Sequence, residues 1–166
     1  MHPPSSITIA MALMLVGCSR PDTGPLSFQS PADWNVKHDT LGGLDFYTVT
    51  AKAPDEGLLM FSRWVPPSTP EEIPGLVGKL ADGFLEQAKK SSKFALTSEE
   101  YRVEPFAGNH CQGNFAVFQT ASRGTNTVVA MFMMSVDGRV WNGQFTGSPD
   151  AWKHAFTVLK SLKKSG

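Results

Sequence analysis

Nucleophilic or metal chemistry needs particular side chains brought within reach of one another, so the thiols, imidazoles and thioethers of this 166-residue chain come first. There are two cysteines, Cys18 and Cys111, and His110-Cys111 is the one place where a thiol and an imidazole are close in sequence. A cysteine nucleophile needs a base within hydrogen-bond reach and usually a third group that orients the base. Successive strand residues point to opposite faces, so this pair is not expected to touch, and Cys111 reads as a small buried hydrophobe. A thiol-dependent enzyme built on Cys111 and His110 stands as one alternative. Met131-Phe132-Met133-Met134 offers a second, because thioethers suit Cu(I), and Met131 and Met133 with Cys111 would form a Cu(I)-handling site. That run lies inside TVVAMFMMSV, however, which has the continuous apolar character of a central strand covered on both faces, with methionine filling core gaps. Gly75-Leu76-Val77-Gly78-Lys79-Leu80 is too short for a phosphate loop and lacks its Ser or Thr, and HExxH, GxSxG and CxxC are absent from the sequence. His38-Asp39 and His154 have no spacing that joins them to a triad or a metal site, and they read as solvated surface. Trp34, Trp64, Trp141 and Trp152 are expected in the core. The expectation is a chain without catalytic residues, cofactor or metal.

Cys18 has a different context. Ile7 to Val16 is an apolar run of ten residues with Thr8 its one polar member, too short for a spanning helix of about 20 and suited to the core of a signal peptide. It ends in Leu15-Val16-Gly17-Cys18, which resembles the lipobox of bacterial lipoproteins. The resemblance implies acylation of the Cys18 thiol and cleavage between Gly17 and Cys18, although Met1 to Ser6 carries no Lys or Arg where a basic stretch is usual. It divides the chain into a signal peptide over 1–17, a lipid-anchored tether over 18–25 and a single domain over 26–166. Ser19, not Asp, follows the cysteine, so the outer membrane facing the periplasm is the default address. With Cys18 acylated, Cys111 has no cysteine to pair with.

Charge narrows the classes of partner. Fifteen Lys and Arg balance fifteen Asp and Glu, and none of the thirty lies before Cys18, so the domain itself is neutral. A neutral domain has no electrostatic footprint for nucleic acid. Membrane attachment is left to the acyl chains, each CH₂ contributing about 0.8 kcal/mol.

These residues must be positioned by a small set of elements. Strands are expected over Leu26 to Asp39, Leu44 to Ala51 and Leu58 to Val65, with a Gly42-Gly43 turn between the first two. Thr69-Pro70-Glu71-Glu72 predicts a helix start with Thr69 as N-cap and Glu72 as its capping-box partner. The helix runs to about Ser91 with Ile73, Leu76, Val77, Leu80, Phe84 and Ala88 on one face. Four strands follow over Phe94 to Phe106, Cys111 to Ser122, Thr125 to Val136 and Arg139 to Thr146. Asp137-Gly138 predicts a tight hairpin, Arg123 to Asn126 a longer one, and Asn142-Gly143 a bulge. Ser148-Pro149-Asp150 opens a last helix whose buried stripe is Trp152, Ala155, Phe156, Leu159 and Leu162.

The order βββ-α-ββββ-α, with Pro31-Ala32-Asp33-Trp34 at its start and Gly147-Ser148-Pro149…Trp152…Leu159-Lys160-Ser161-Leu162-Lys163 at its end, resembles the PsbP/Mog1/DcrB-like group. The resemblance implies an α+β fold, an α/β/α sandwich around an antiparallel sheet of six to seven strands. It also implies an accessory or partner-binding role, in a group mostly without an established enzymatic activity. The expected function is a membrane-anchored, non-enzymatic binding module for a protein or an envelope ligand.

Overall fold

A computed structural model describes residues 24–53, 56–91, 95–122 and 125–166. The signal peptide, its cleavage site and Cys18 lie outside the described residues, as do Arg123 and Gly124 of the expected Arg123 to Asn126 loop. The elements are β1 (Leu26–Ser27), β2 (Asn35–Leu41), β3 (Leu44–Thr50), β4 (Gly57–Arg63), α1 (Ile73–Lys90), β5 (Val103–Ala107), β6 (Cys111–Ser122), β7 (Thr125–Val136), β8 (Arg139–Gly147), α2 (Pro149–Lys160) and β9 (Lys163–Lys164). Strands β2 to β8 form one antiparallel sheet in the order β2-β3-β4-β8-β7-β6-β5, so two meanders join where β8 pairs with β4. The fold is α+β, with α1 on one face of the sheet and α2 on the other.

Each helix begins where local chemistry dictates. One 3₁₀ turn, Pro70–Glu72, leads into α1, and the Thr69 amide donates to Glu72 Oε2 at 2.7 Å, the capping interaction expected from the spacing. Ser148 caps α2 by accepting from the Ala151 amide at 3.1 Å. The apolar stripe of α1 buries Ile73, Val77 and Ala81 against Ala116, Phe118, Val129 and Met133. On the other face α2 and the chain after it bury Ala155, Val158, Leu159 and Leu162 against Tyr47, Phe61, Phe132, Met134 and Phe145. Met133 and Met134 are therefore core on opposite faces of β7, which is what a central strand between two helical layers requires.

Trp141 is fully buried, edge-on to Tyr47 and Phe61, and its Nε1–H finds no acceptor among the described residues. An unmatched donor costs about 1–3 kcal/mol, comparable with what burying a large aromatic side chain contributes.

Four sequence expectations are corrected. Asn142-Gly143 is not a bulge, because β8 pairs without interruption with β4 and with β7 through both residues. Glycine is required there for close approach: a Cβ on Gly143 would stand 2.6 Å from Phe132 Cζ and 2.7 Å from Phe61 Cβ, and closer still to the Met60 carbonyl. Of the expected strand from Phe94 to Phe106, Phe94 lies outside the described residues and the rest is pared to a strand at Val103–Ala107 and a lone Leu96–Thr120 bridge. Between them Ser98 Oγ accepts from the Glu100 amide at 3.0 Å, a local turn that competes with pairing. Thr125 and Asn126, expected both in a hairpin loop and at the start of a strand, belong to the strand, paired with Ser122 and Ala121, so β7 keeps its expected bounds and the loop is shorter. Leu26–Ser27 pairs with Lys163–Lys164 in a separate two-stranded sheet, an element too short to show any period. The Asp137-Gly138 hairpin is as expected, with φ of 45° and 80°.

Candidate functional site

The two faces of the sheet are covered unequally, and the cause is legible along β8. Trp141, Gly143 and Phe145 face α2, whereas Val140, Asn142, Gln144 and Thr146 alternate onto the α1 face. That second row is mostly polar, so α1 packs over β6 and β7, where Ala116, Phe118, Val129 and Met133 present apolar side chains on this face, and leaves β8, β4 and β3 open. A groove of about 620 Å³ runs between α1 and this open half. Leu80, Gly83 and Phe84 form its helical wall at i, i+3 and i+4 spacing, with Met131 at its base. Phe46, Met60, Ser62, Asn142 and Gln144 form its floor, and Ser62 Oγ donates to Asn142 Oδ1 at 3.3 Å. Lys79 is the charged side chain among the described residues lining it. An apolar floor with a row of hydroxyl and amide groups suits an amphiphilic ligand in the usual size range of binding pockets, roughly 300–1,000 Å³. Sequence reasoning missed this site. Its signal was the contrast between β7, apolar on both faces, and β8, apolar on one.

The thiol and imidazole are turned to different partners. Cys111 is 5% exposed, and its thiol donates to the Leu159 carbonyl at 3.2 Å under the end of α2. Burial pushes its pKa above the ordinary thiol value, which disfavours the thiolate a nucleophile needs. His110 is exposed and its Nδ1 lies 3.5 Å from Asp137 Oδ1. Asp137 Oδ2 accepts from the Lys164 amide at 2.8 Å, and that bond chiefly holds its carboxyl below the usual aspartate range. The Cu(I) set is also split. Met131 and Met133 lie on the α1 face, whereas Cys111 belongs to the core under α2. Among the described residues no three His, Cys, Asp or Glu side chains gather as a metal site would need.

His38 is not solvated surface. It is half-buried, bonded through Nε2 to Asp45 Oδ1 at 2.9 Å and stacked 4.7 Å from the Tyr47 ring, so it braces the edge of the sheet. The neighbouring Asp39 pairs with Lys37 in solvent, and His154 is exposed beside Trp34. Trp34 and Trp141 are core, while Trp64 and Trp152 are half-buried, with Trp64 Nε1 donating to Ser68 Oγ at 2.9 Å.

No family model and no curated protein matches the chain. Solved structures to which the chain is similar include the mycobacterial protein LpqN, described as involved in cell envelope biogenesis of Mycobacterium tuberculosis. It is 12% identical, with 85% of this chain and 83% of that one covered and a TM-score of 0.48. A Bacteroides thetaiotaomicron protein is 15% identical at a TM-score of 0.48, with 85% of this chain aligned to 45% of that one. A Pseudomonas aeruginosa protein of unknown function is 15% identical at 0.35, with 82% and 96% covered. Among the described residues no helix is long and apolar enough to cross a membrane.

Proposed function

We propose that this chain is an envelope lipoprotein, anchored through acylated Cys18, whose domain binds a small amphiphilic envelope ligand without catalysing its conversion. The observation that carries the binding reading is the groove between α1 and the open half of the sheet, where Phe46 and Met60 lie beside Ser62, Asn142 and Gln144 on the floor and Phe84 on α1 forms the wall. The Leu15-Val16-Gly17-Cys18 pattern supports the anchor. The non-enzymatic reading is supported by a buried, bonded Cys111 and an imidazole turned to Asp137. Membership of the PsbP/Mog1/DcrB-like group and an outer-membrane address belong to the same proposal, supported by the element order and by Ser19.

A photocrosslinking amino acid placed at Met60 in cells tests the binding reading. A small-molecule mass gain on the intact protein, absent when the crosslinker replaces exposed Lys52 at the far end of the sheet, is expected. Equal yields at both positions, or none at Met60, refute it. For the anchor, fatty-acid label is expected on the wild type and lost in Cys18→Ser. Turnover of a generic ester or peptide substrate that disappears in Cys111→Ala would overturn the non-enzymatic reading.

A further inference from the structure

The orientation of the domain on its membrane follows from where the chain joins the fold, and it rests on the acylation of Cys18 proposed above. From Cys18 to Gly24 there are six peptide units, a reach of at most about 20 Å. The chain is then fixed to one end of the sheet. The Leu26 amide donates to the Tyr47 hydroxyl at 3.0 Å, Ser165 N–H bonds the Pro25 carbonyl at 3.0 Å, and the Lys164 amide bonds Asp137 in the β7–β8 turn. The same end holds the β2–β3 turn at Gly42-Gly43 and the exit of β4. Trp64 N–H bonds the Val140 carbonyl at 2.9 Å, and the Phe46–Ser62 pairing brings Leu44 level with Trp64.

The exposed apolar side chains gather there too. Among the described residues four large hydrophobics are exposed, and three of them stand at this end: Leu41 at 80%, Val65 at 63% and Leu44 at 38%. Exposed Arg63, Arg139, Lys163 and Lys164 flank them. Of the carboxylates nearby, exposed Asp39 is paired with Lys37, Asp45 is bonded to His38 and Asp137 to the Lys164 amide. Glu71 lies across the sheet beside Pro105 and Gln112. The opposite ends of β6 and β7, twelve residues each, are about 40 Å away.

We propose that this end is a phospholipid-contacting surface. Leu41 and Val65 enter the boundary between headgroups and acyl chains with Leu44 beside them, while Arg63, Arg139, Lys163 and Lys164 meet the headgroup phosphates. Partial insertion of apolar tips ringed by cations is how peripheral surfaces engage a bilayer, and a short tether keeps the tips within reach.

The test uses the full acylated chain in vesicles of phosphatidylethanolamine and phosphatidylglycerol that carry nitroxide on their acyl chains. An environment-sensitive fluorophore is placed on Leu41→Cys, Val65→Cys or, as a control, Lys52→Cys; buried Cys111 stays unlabelled under native conditions. Quenching at positions 41 and 65 is expected to exceed that at 52 by about threefold or more. Equal quenching in protein that has incorporated fatty acid at Cys18 overturns the orientation and leaves the anchor standing. Failure to incorporate fatty acid, in wild type and Cys18→Ser alike, overturns anchor and orientation together.

Discussion

Gly143→Ala tests the close packing on which the sheet depends. The added Cβ would stand 2.6 Å from Phe132 Cζ and 2.7 Å from Phe61 Cβ, and would press on the Met60 main-chain carbonyl, which cannot rotate away. β8 is paired on both sides, so relief requires moving β4 or β7. Overpacking of this kind costs about 1–3 kcal/mol, the upper part applying where backbone blocks the new atom, and the entropy gained by removing a glycine returns about 0.5–1. A net loss of about 2 kcal/mol corresponds to a fall in Tm of roughly 4–8 °C for a domain of this size. Gly83→Ala is the control, since its Cβ meets nothing within 4 Å in the exposed middle of α1. Helix propensity alone should stabilise that variant by about 0.5–1 kcal/mol. Thermal melting followed by circular dichroism, with urea midpoints at constant m-value, reads both. If Gly143→Ala melts within a degree of wild type, the uninterrupted register is wrong, because a bulge at Asn142-Gly143 would leave room for the methyl group.

Three further outcomes are expected. Ser148→Ala removes the acceptor for the Ala151 amide and should cost about 1 kcal/mol, seen as a lower urea midpoint. An unchanged midpoint would mean that the cap contributes nothing. Native Cys111 should react with an aromatic disulfide far more slowly than in denaturant, because its thiol is buried with a raised pKa; rapid native labelling at neutral pH contradicts its placement. Asp137 has a lowered carboxyl pKa, so its contribution is present above the ordinary aspartate value and is lost as pH falls through the depressed folded value. After correction for intrinsic exchange, protection of the Lys164 amide should fall over that acid range in wild type and not in Asp137→Ala. Equal pH dependence in the two proteins refutes the linkage.

What was legible in the chain was local. Thr69, Pro70 and Glu72 announce a helix start because the capping chemistry spans four residues, and Asp137-Gly138 announces its hairpin because few residue pairs adopt positive φ together. TVVAMFMMSV reads as a two-sided core strand because burial on both faces removes the polar alternation. Elements decided by distant partners were not legible. β1 and β9 are two residues each and meet only because α2 returns the chain to its beginning. Asn142-Gly143 carries a turn-like dipeptide, yet Phe61 and Phe132, which demand a glycine, arrive from β4 and β7. His38 looked solvated until Asp45 and Tyr47, on the paired strand, closed over it.

The groove marks the same division. The polar row Asn142, Gln144 and Thr146 is written in the alternation of β8, but the strand could have met that row with solvent or with a polar helix. Only the tertiary structure places α1 over β6 and β7 and stops it short of β8, because burying Ser62, Asn142 and Gln144, whose hydrogen-bonding capacity the one Ser62–Asn142 bond does not fill, would cost more than their neighbours return. By itself the sequence determined an α+β chain with two capped helices, a two-sided central strand, a neutral domain and a lipobox-like cysteine, all properties of residues close in the chain. The close approach at Gly143, the burial of Cys111, the position of the groove and the clustering of Leu41, Leu44 and Val65 beside the root of the tether were decided by strand pairing and helix packing. These bring together residues that no local pattern relates.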